Sequence, residues 1–272
     1  LRYECASMIC TYGRDCSLAG RIARSSNIKV IYQQHMGLGV NKRDFLHTRR
    51  FNSLDAWIAP LPSLRDEVLK RTRIKEEKVH CIALGADVQA LGKERTKSEA
   101  RAELQLPPER RYIGVLGRID PAKGQELLLR TMHRFLQNMD DLSLVIMGEP
   151  TKDHTDYGSY VSSLISEYRL EHRVFMRPFA NEPRAFFDAV DLCMVPTRSE
   201  TYGMVTVEAL MCGCPVAGTR AGGTPEILMH GAWGELFEPD NDVDCARAIQ
   251  EIINNYDKYI CLLYTSPSPR DA

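Results

Sequence analysis

No run of uncharged apolar residues in the chain approaches the roughly 18 that a membrane-spanning helix needs, and residues 1–20 lack the apolar stretch of a secretory leader. Charge imbalance is missing too: 35 Lys and Arg stand against 36 Asp and Glu, a formal net charge of −1. That balance removes the whole-chain argument for a nucleic-acid binder, which would show a strongly basic domain. Paired cysteines are also absent. The nine cysteines, Cys5, Cys10, Cys16, Cys81, Cys193, Cys212, Cys214, Cys245 and Cys261, are odd in number and scattered, so they supply no disulfide framework. Cys212-Gly213-Cys214 has the wrong spacing for a zinc knot, and no metal site is expected. Several thiols sit inside apolar runs, as Cys193 does between Leu192 and Met194. They read as buried, reduced small hydrophobes of a cytoplasmic protein. No internal repeat appears, and low-complexity sequence is confined to the Pro/Ser-rich end. What is present is globular: 44% hydrophobic and 26% charged residues over 272 positions, enough for cores in two domains.

From Arg111 to Asn254 short apolar runs alternate with amphipathic ones. Strands are expected at Tyr112–Gly117, Leu142–Met147, Val174–Met176, Leu192–Val195, Pro215–Gly218 and Gly234–Phe237. Helices are expected at Gly124–Asn138, Tyr157–Leu170, Pro183–Val190, Gly203–Cys212, Thr224–Met229 and Val243–Asn254. This alternation implies βαβ units and a parallel sheet covered on both faces, an α/β fold. A shorter version precedes it, with strands at Ile28–Gln33, Ala56–Ala59 and Val79–Ala83 and helical stretches at Lys42–Asn52 and Leu61–Arg71. The polar segment Gly92–Ala100 reads as the exit into the next domain. The expected division is 1–90, 91–256 and a tail at 257–272, of which Cys261–Ala272 looks like translated adapter sequence. The chain opens at Leu1 without an initiator Met, and a fragment is expected.

Ligands of parallel sheets bind at the carboxyl ends of the strands, so the strand-to-helix loops are where chemistry is sought. In Ser199-Glu200-Thr201-Tyr202-Gly203-Met204-Val205-Thr206-Val207-Glu208, two glutamates straddle the start of a helix that follows a buried strand. The amides of Gly203, Met204 and Val205 point out of the helix start, where unpaired N–H groups and the helix dipole favour an anion. A carboxylate at Glu208 can bind ribose hydroxyls. The plainer reading makes Glu200 a capping acid and Glu208 a solvated one. In Gly117-Arg118-Ile119-Asp120-Pro121-Ala122-Lys123-Gly124, at another strand end, Arg118 and Lys123 project toward the same place. There two cations can offset charge growing on a departing diphosphate. Alone they would be surface bases beside a turn. Gly222-Gly223-Thr224-Pro225-Glu226 permits a close backbone approach and a helix capped by Thr224. His35 sits on a strand-end loop of the first region, a position more often structural than catalytic.

Two other patterns carry less. Asp240, Asp242, Asp244 and Glu251 imitate a calcium loop, but Cys245 replaces the required glycine and Val243, Ala246, Ile249 and Ile253 form an apolar helical stripe through it. These acids read as helix caps. The bases Lys42, Arg43, Arg49 and Arg50 read as a solvated face, with contact to an anionic lipid surface as the lesser alternative.

Together, Arg118…Lys123-Gly124, Gly148-Glu149-Pro150, Glu200-x7-Glu208, Gly222-Gly223-Thr224-Pro225-Glu226 and the histidine loop Tyr32-Gln33-Gln34-His35-Met36-Gly37-Leu38-Gly39-Val40 resemble the family-4 retaining glycosyltransferases of the GT-B fold. The likeness runs from about Tyr3 to Tyr256. It implies two Rossmann-like domains, the first truncated, the acceptor against the first and a nucleotide-diphosphate sugar in the second. Arg118 and Lys123 would contact the diphosphate, Glu208 the ribose, and Glu200 the transferred sugar. Met176, Arg177 and Pro178 would lie beside the nucleobase through main-chain atoms. His35 joins Glu200 as a catalytic candidate. The expected reaction is transfer with retention to a glycan or lipid-linked acceptor, without a metal or other cofactor. The expected setting is cytoplasmic, with peripheral contact to the inner membrane surface as the lesser alternative. The family's glycine-rich first loop and its returning last helix have no counterpart here, so acceptor binding is expected to suffer. A nucleotide-sugar epimerase of the same fold and a non-catalytic sugar-nucleotide-binding module are the alternatives.

Overall fold

A computed structural model describes residues 6–26, 28–87, 89–151, 155–180, 182–198 and 200–265. Cys5, Ser199 and residues 266–272, which figured in the sequence reading, lie outside the described residues. The chain forms two units, Leu1–Gly85 and Ala86–Ala272.

In the first unit, four parallel strands, β1 (Ser7–Cys10), β2 (Lys29–Gln33), β3 (Ala56–Ala59) and β4 (Val79–Cys81), pair in chain order. They are joined by α1 (Cys16–Ser26), α2 (Phe45–Asn52) and α3 (Pro62–Arg71). The strand β1 and helix α1 went unread in the sequence, because four residues on a sheet edge leave too short a pattern to distinguish. The core is aromatic. Trp57 packs edge-on against Tyr32 and Phe51 at ring separations of 4.6 and 5.0 Å, an arrangement favoured by the ring quadrupoles.

The second unit holds six parallel strands. These are β5 (Arg111–Leu116), β6 (Leu142–Met147), β7 (Val174–Arg177), β8 (Leu192–Val195), β9 (Val216–Thr219) and β10 (Glu235–Phe237). Their spatial order is β10-β9-β8-β5-β6-β7. All six residues of β6 and all four of β8 and β9 are buried, as strands covered on both faces must be. One face carries α5 (Gln125–Phe135), α6 (Thr155–Glu167) and α10 (Asp242–Asn254) over a core of Leu128, Met132, Val161, Ile249 and Ile252. The other is packed by α4 (Lys97–Glu103), α7 (Arg184–Ala189), α8 (Met204–Met211) and α9 (Thr224–Ile227), with Tyr112, Phe186, Phe187 and Ala209 inside.

Three boundaries differ from the sequence reading. The polar segment expected as an interdomain exit contains the start of α4, begun by a reciprocal cap between Thr96 and Glu99. Only Ala100 and Arg101 of that helix are buried, too thin a stripe to show a helical period. The helix expected at Thr224–Met229 ends at Ile227, and Thr224 does not cap it: Gly223 takes the cap position and the Thr224 hydroxyl is buried without a partner among the described residues. The tail set aside from residue 257 instead continues as α11 (Tyr256–Thr265). Its Tyr259 is buried and donates to Glu235 Oε1 at 2.6 Å. The cysteines Cys10, Cys16, Cys193, Cys214 and Cys245 are buried, while Cys81 and Cys261 are exposed. Burial pushes the thiols of Cys16, Cys212 and Cys245 up to about 12, which keeps them protonated and poorly nucleophilic.

One buried carboxylate joins α4 to the sheet. Asp191, just before β8, accepts from Lys97 Nζ at 2.6 Å, from the Arg101 guanidinium at 2.9 Å and from the Tyr112 amide at 2.7 Å. Replacing Asp191 by alanine strands the buried Arg101 charge and should destabilise the second unit by about 3–5 kcal/mol. Urea unfolding followed by circular dichroism measures this, and a loss under about 1 kcal/mol, the range of exposed pairs, would contradict the assignment.

Candidate functional site

The strand order of the second unit reverses between β5 and β8, which pair at Ile113 with Leu192 and Gly114 with Cys193. Such a switch point leaves a crevice beyond the carboxyl ends of the two strands, because their following loops diverge. The loop after β5 carries Gly117 to Gly124, and the loop after β8 carries Pro196 to Gly203. Both sequence-derived constellations therefore meet at this point.

Three loops interlock there. The Arg198 amide donates to the Ala122 carbonyl at 3.1 Å, tying the β8 loop to the β5 loop. The Thr219 hydroxyl at the end of β9 donates to the Thr197 carbonyl at 2.7 Å. From the loop after β9, the Gly223 amide donates to the Glu200 carbonyl at 2.9 Å. Two glycines make these approaches possible. Gly124 has φ +74°, and a Cβ there would overlap the Pro196 carbonyl; Gly222 has φ +61°, and a Cβ there would overlap the Glu200 carbonyl. Both conformations are strained for side chains.

On this base Lys123 Nζ meets Glu200 Oε2 at 2.7 Å, with the two side chains 22% and 25% exposed. Glu200 is thus an ion-pair partner across the crevice and not a capping acid for α8. Gly203, at φ +89°, occupies the cap position of α8 with no side-chain cap. The amides of Gly203, Met204 and Val205 have no acceptor among the described residues, leaving an anion-ready helix start. Glu208, on the second turn of α8, is half-buried. Burial pushes its carboxyl above the ordinary 4.5, and no side-chain partner for it stands among the described residues.

Arg118 behaves differently from Lys123. Its side chain is 68% exposed and lies 3.5 Å from Asp120, so it is not drawn to either glutamate. Gln125 and Asp120 shape that loop and were not singled out from the sequence. The Gln125 amide donates to the Arg118 carbonyl at 2.9 Å, and Asp120 caps the turn Pro121–Lys123 by accepting from the Ala122 amide at 2.9 Å. The only available signal was a polar residue at the inward start of an apolar helix. Met176, Arg177 and Pro178 end β7 and begin the next loop. The Arg177 guanidinium donates to the carbonyls of Leu104 at 2.6 Å, Gln105 at 2.8 Å and Met176 at 2.8 Å, and the Arg177 carbonyl accepts from the Gly148 amide at 2.9 Å. His35 stands in the first unit, exposed on the loop after β2. That loop is positioned by Gln34, buried, which accepts from Trp57 Nε1 at 3.0 Å and donates to the Met36 carbonyl at 3.0 Å.

The calcium-like acids serve the fold. Asn241 caps α10, Asp242 pairs with Arg130 at 3.1 Å and Arg134 at 2.6 Å, and Asp244 pairs with Arg247 at 2.7 Å. Among the described residues no cluster of three metal-ligating side chains occurs, and no helix is long and apolar enough to cross a membrane.

A family model described as glycosyl transferases group 1 matches residues 96–260. The D-inositol 3-phosphate glycosyltransferase of Stackebrandtia nassauensis is 31% identical over 165 residues, 58% of this chain and 37% of that protein. D-inositol 3-phosphate glycosyltransferase 1 of Catenulispora acidiphila is 25% identical over 262 residues, 88% of this chain and 62% of that protein. The chain thus spans between 37% and 62% of these two relatives. Among solved structures, Anabaena Alr3699/HepE in complex with UDP and glucose superposes with a TM-score of 0.80 at 22% identity, over 95% of this chain and 71% of that one. Sucrose-phosphate synthase from Thermosynechococcus elongatus gives 0.79 at 21%, over 95% and 67%. At these identities the structures establish a shared GT-B fold.

The burial of Glu208 has a thermodynamic consequence. Its pKa is raised on folding, so its contribution favours the folded state below pH 4.5 and is lost as pH rises through the higher folded value. Glu208→Gln should therefore raise the melting temperature of the unliganded protein at pH 7, with the gain shrinking toward pH 4. Melts across that range with the same difference at every pH would refute this.

Proposed function

The chain belongs to the glycosyl transferases group 1 family, and from that premise we propose that it transfers a sugar from a nucleoside-diphosphate sugar to a glycan or lipid-linked hydroxyl, with retention at the anomeric carbon. The observation that carries this reading is the Lys123–Glu200 pair at the switch point, 2.7 Å apart beside the unpaired amides that open α8. One cation, an oriented set of N–H groups and a nearby acid suit a diphosphate joined to a polar, uncharged sugar.

In this reading the diphosphate lies against the amides of Gly203, Met204 and Val205, with Lys123 on one oxygen and the exposed Arg118 closing from solvent. Diphosphate and Glu200 compete for Lys123, so donor binding draws the lysine off and leaves the Glu200 carboxylate for the sugar. Glu208 accepts from the ribose hydroxyls, which return the hydrogen bonds that its burial removed. The nucleobase lies by the main chain at Met176, Arg177 and Pro178. The bond from the anomeric carbon to the diphosphate oxygen breaks as Lys123, Arg118 and the amides take up the growing charge. The acceptor oxygen bonds the same face of an oxocarbenium-like carbon, and its proton passes to the leaving phosphate. His35 serves on the acceptor side. No metal is called for, since cations and helix amides supply the positive charge. The setting proposed is cytoplasmic.

Calorimetry with UDP, GDP and ADP tests the donor site, UDP first because Alr3699/HepE was solved with it. Lys123→Ala and Arg118→Ala should each weaken nucleoside-diphosphate binding by about 1.5–3 kcal/mol, the value of a hydrogen bond to a charged group. Glu200→Gln should leave affinity equal or tighter, because it releases Lys123, while abolishing transfer. Unchanged affinity in both cationic variants would reject the phosphate assignment. The anomeric configuration of the product, read by proton NMR, tests the mechanism: an inverted product rules out same-face attack.

A further inference from the structure

The helices α5 and α6 share an outer surface that the donor site leaves unused. Their apolar residues, Leu128 and Met132 on α5 and Val161 and Leu164 on α6, belong to the buried layer on the sheet. What lies beside that stripe on both helices is aromatic and polar. Near the start of α6 the rings of Tyr157 and Tyr160 stand 5.7 Å apart, with Tyr157 packed against the core and Tyr160 42% exposed. Just beyond the end of α6 the Tyr168 ring stacks on His133 of α5, 4.5 Å away and 13° from parallel, and both are half-buried. Eight residues of helical rise set Tyr168 about 12 Å from Tyr160, a distance that a short run of linked sugar rings spans.

Directional polar groups accompany the two aromatic sites. Glu126 and Arg130, one turn apart on α5, approach to 3.7 Å and are partly exposed. Desolvation and then the Glu126 carboxylate push the Tyr160 phenol above the ordinary 10.0, so it stays a donor. Glu167 is exposed at the end of α6. The two helices carry no positive excess: Glu126, Asp156 and Glu167 stand against Arg130 and Arg134. One end of this surface is fixed to the crevice loops. A Cβ at Gly158 would come within 2.6 Å of Pro150 Cγ, so the first turn of α6 lies on the turn after β6, and Pro150 bridges to Ile119, next to Arg118. Glu126 itself follows Lys123 by three residues.

We propose that this surface binds a neutral oligosaccharide. One sugar ring lies on the Tyr160 face, a second against Tyr168 and His133, and hydroxyls between them bond to Glu126, Arg130 and Glu167. The C–H face of a pyranose is apolar and its rim is polar, which matches aromatic rings separated by carboxylates and a guanidinium. A nucleic acid also stacks on aromatic rings, but its phosphates call for a positive groove, and the acids here cancel the bases. A protein partner would need a centre depleted of charge. The surface begins beside the donor crevice, so a glycan held on it can present its end there as acceptor or leave along it as product. That placement rests on the transferase reading; the binding itself does not.

Saturation-transfer NMR titration of the full chain with maltohexaose and with cellohexaose, in the absence of donor, tests the proposal. At least one of these glucans should bind. Tyr160→Ala should weaken that binding about threefold to tenfold, the range of an aromatic contact, whereas Tyr160→Phe, which keeps the ring, should bind as the parent does. Glu126→Ala should weaken it at least about tenfold. Hexagalacturonate, of equal length but anionic, should bind more weakly than the glucan. Far-UV circular dichroism and UDP calorimetry on each variant should match the parent, which separates loss of glycan binding from misfolding and from damage to the donor site. A chain that binds glucan through Tyr160 but transfers no sugar upholds the binding and removes only the transferase reading. The proposal is overturned if neither glucan binds, if Tyr160→Ala binds them as the parent does, or if hexagalacturonate binds more tightly than both.

Discussion

The contact between Lys123 and Glu200 depends on two backbones that have no reason to meet in the sequence. It spans 2.7 Å between the loops that follow β5 and β8, strands that are neighbours only because the chain crosses over after β7. Its geometry is set from below by Gly124 against Pro196 and from the side by Gly222 against Glu200. Either glycine replaced by a residue with a Cβ forces the loops apart, so the ion pair is a product of backbone shape as much as of charge. Close-packed interiors transmit such shifts without absorbing them.

Around that contact the second unit keeps polar groups where an apolar core would be more stable. Glu208 is half-buried with its carboxyl pushed up by desolvation. The hydroxyls of Thr197, Thr206 and Thr224, on the segments that follow β8 and β9, are buried without a partner among the described residues. Polar burial of this kind lowers stability, and functional sites are where proteins tolerate it. The strain is borne by the two apolar layers on the sheet and by the Asp191 junction, which together hold the strand ends in register.

The first unit concentrates its apolar mass differently. Trp57, Phe51 and Tyr32 form a compact aromatic centre, and Gln34 converts that centre into a support for the histidine loop through a bond to Trp57. The same loop then turns Met36 and Val40 outward while the Leu38 and Lys42 amides bond to α3 and the Val40 amide to the Leu38 carbonyl. A segment with its backbone polar groups satisfied can expose apolar side chains without fraying.

Local pattern was enough for the parallel α/β class, most strand positions and the glycine, lysine and glutamate motifs, because each depends on residues adjacent along the chain. Short or polar elements were not legible: β1 is an edge of four residues, α4 buries Ala100 and Arg101, and the helix through Tyr259 runs on into residues with no core pattern. Nor could spacing reveal that Lys123 holds Glu200 while Arg118 remains exposed, that Arg177 ties its strand end to the carbonyls of Leu104 and Gln105, or that Gln125 supports Arg118 from within. Those outcomes depend on which strand ends become neighbours and which side chains lose water. Both are settled by contacts between residues far apart in the chain, for which its linear order carries no term.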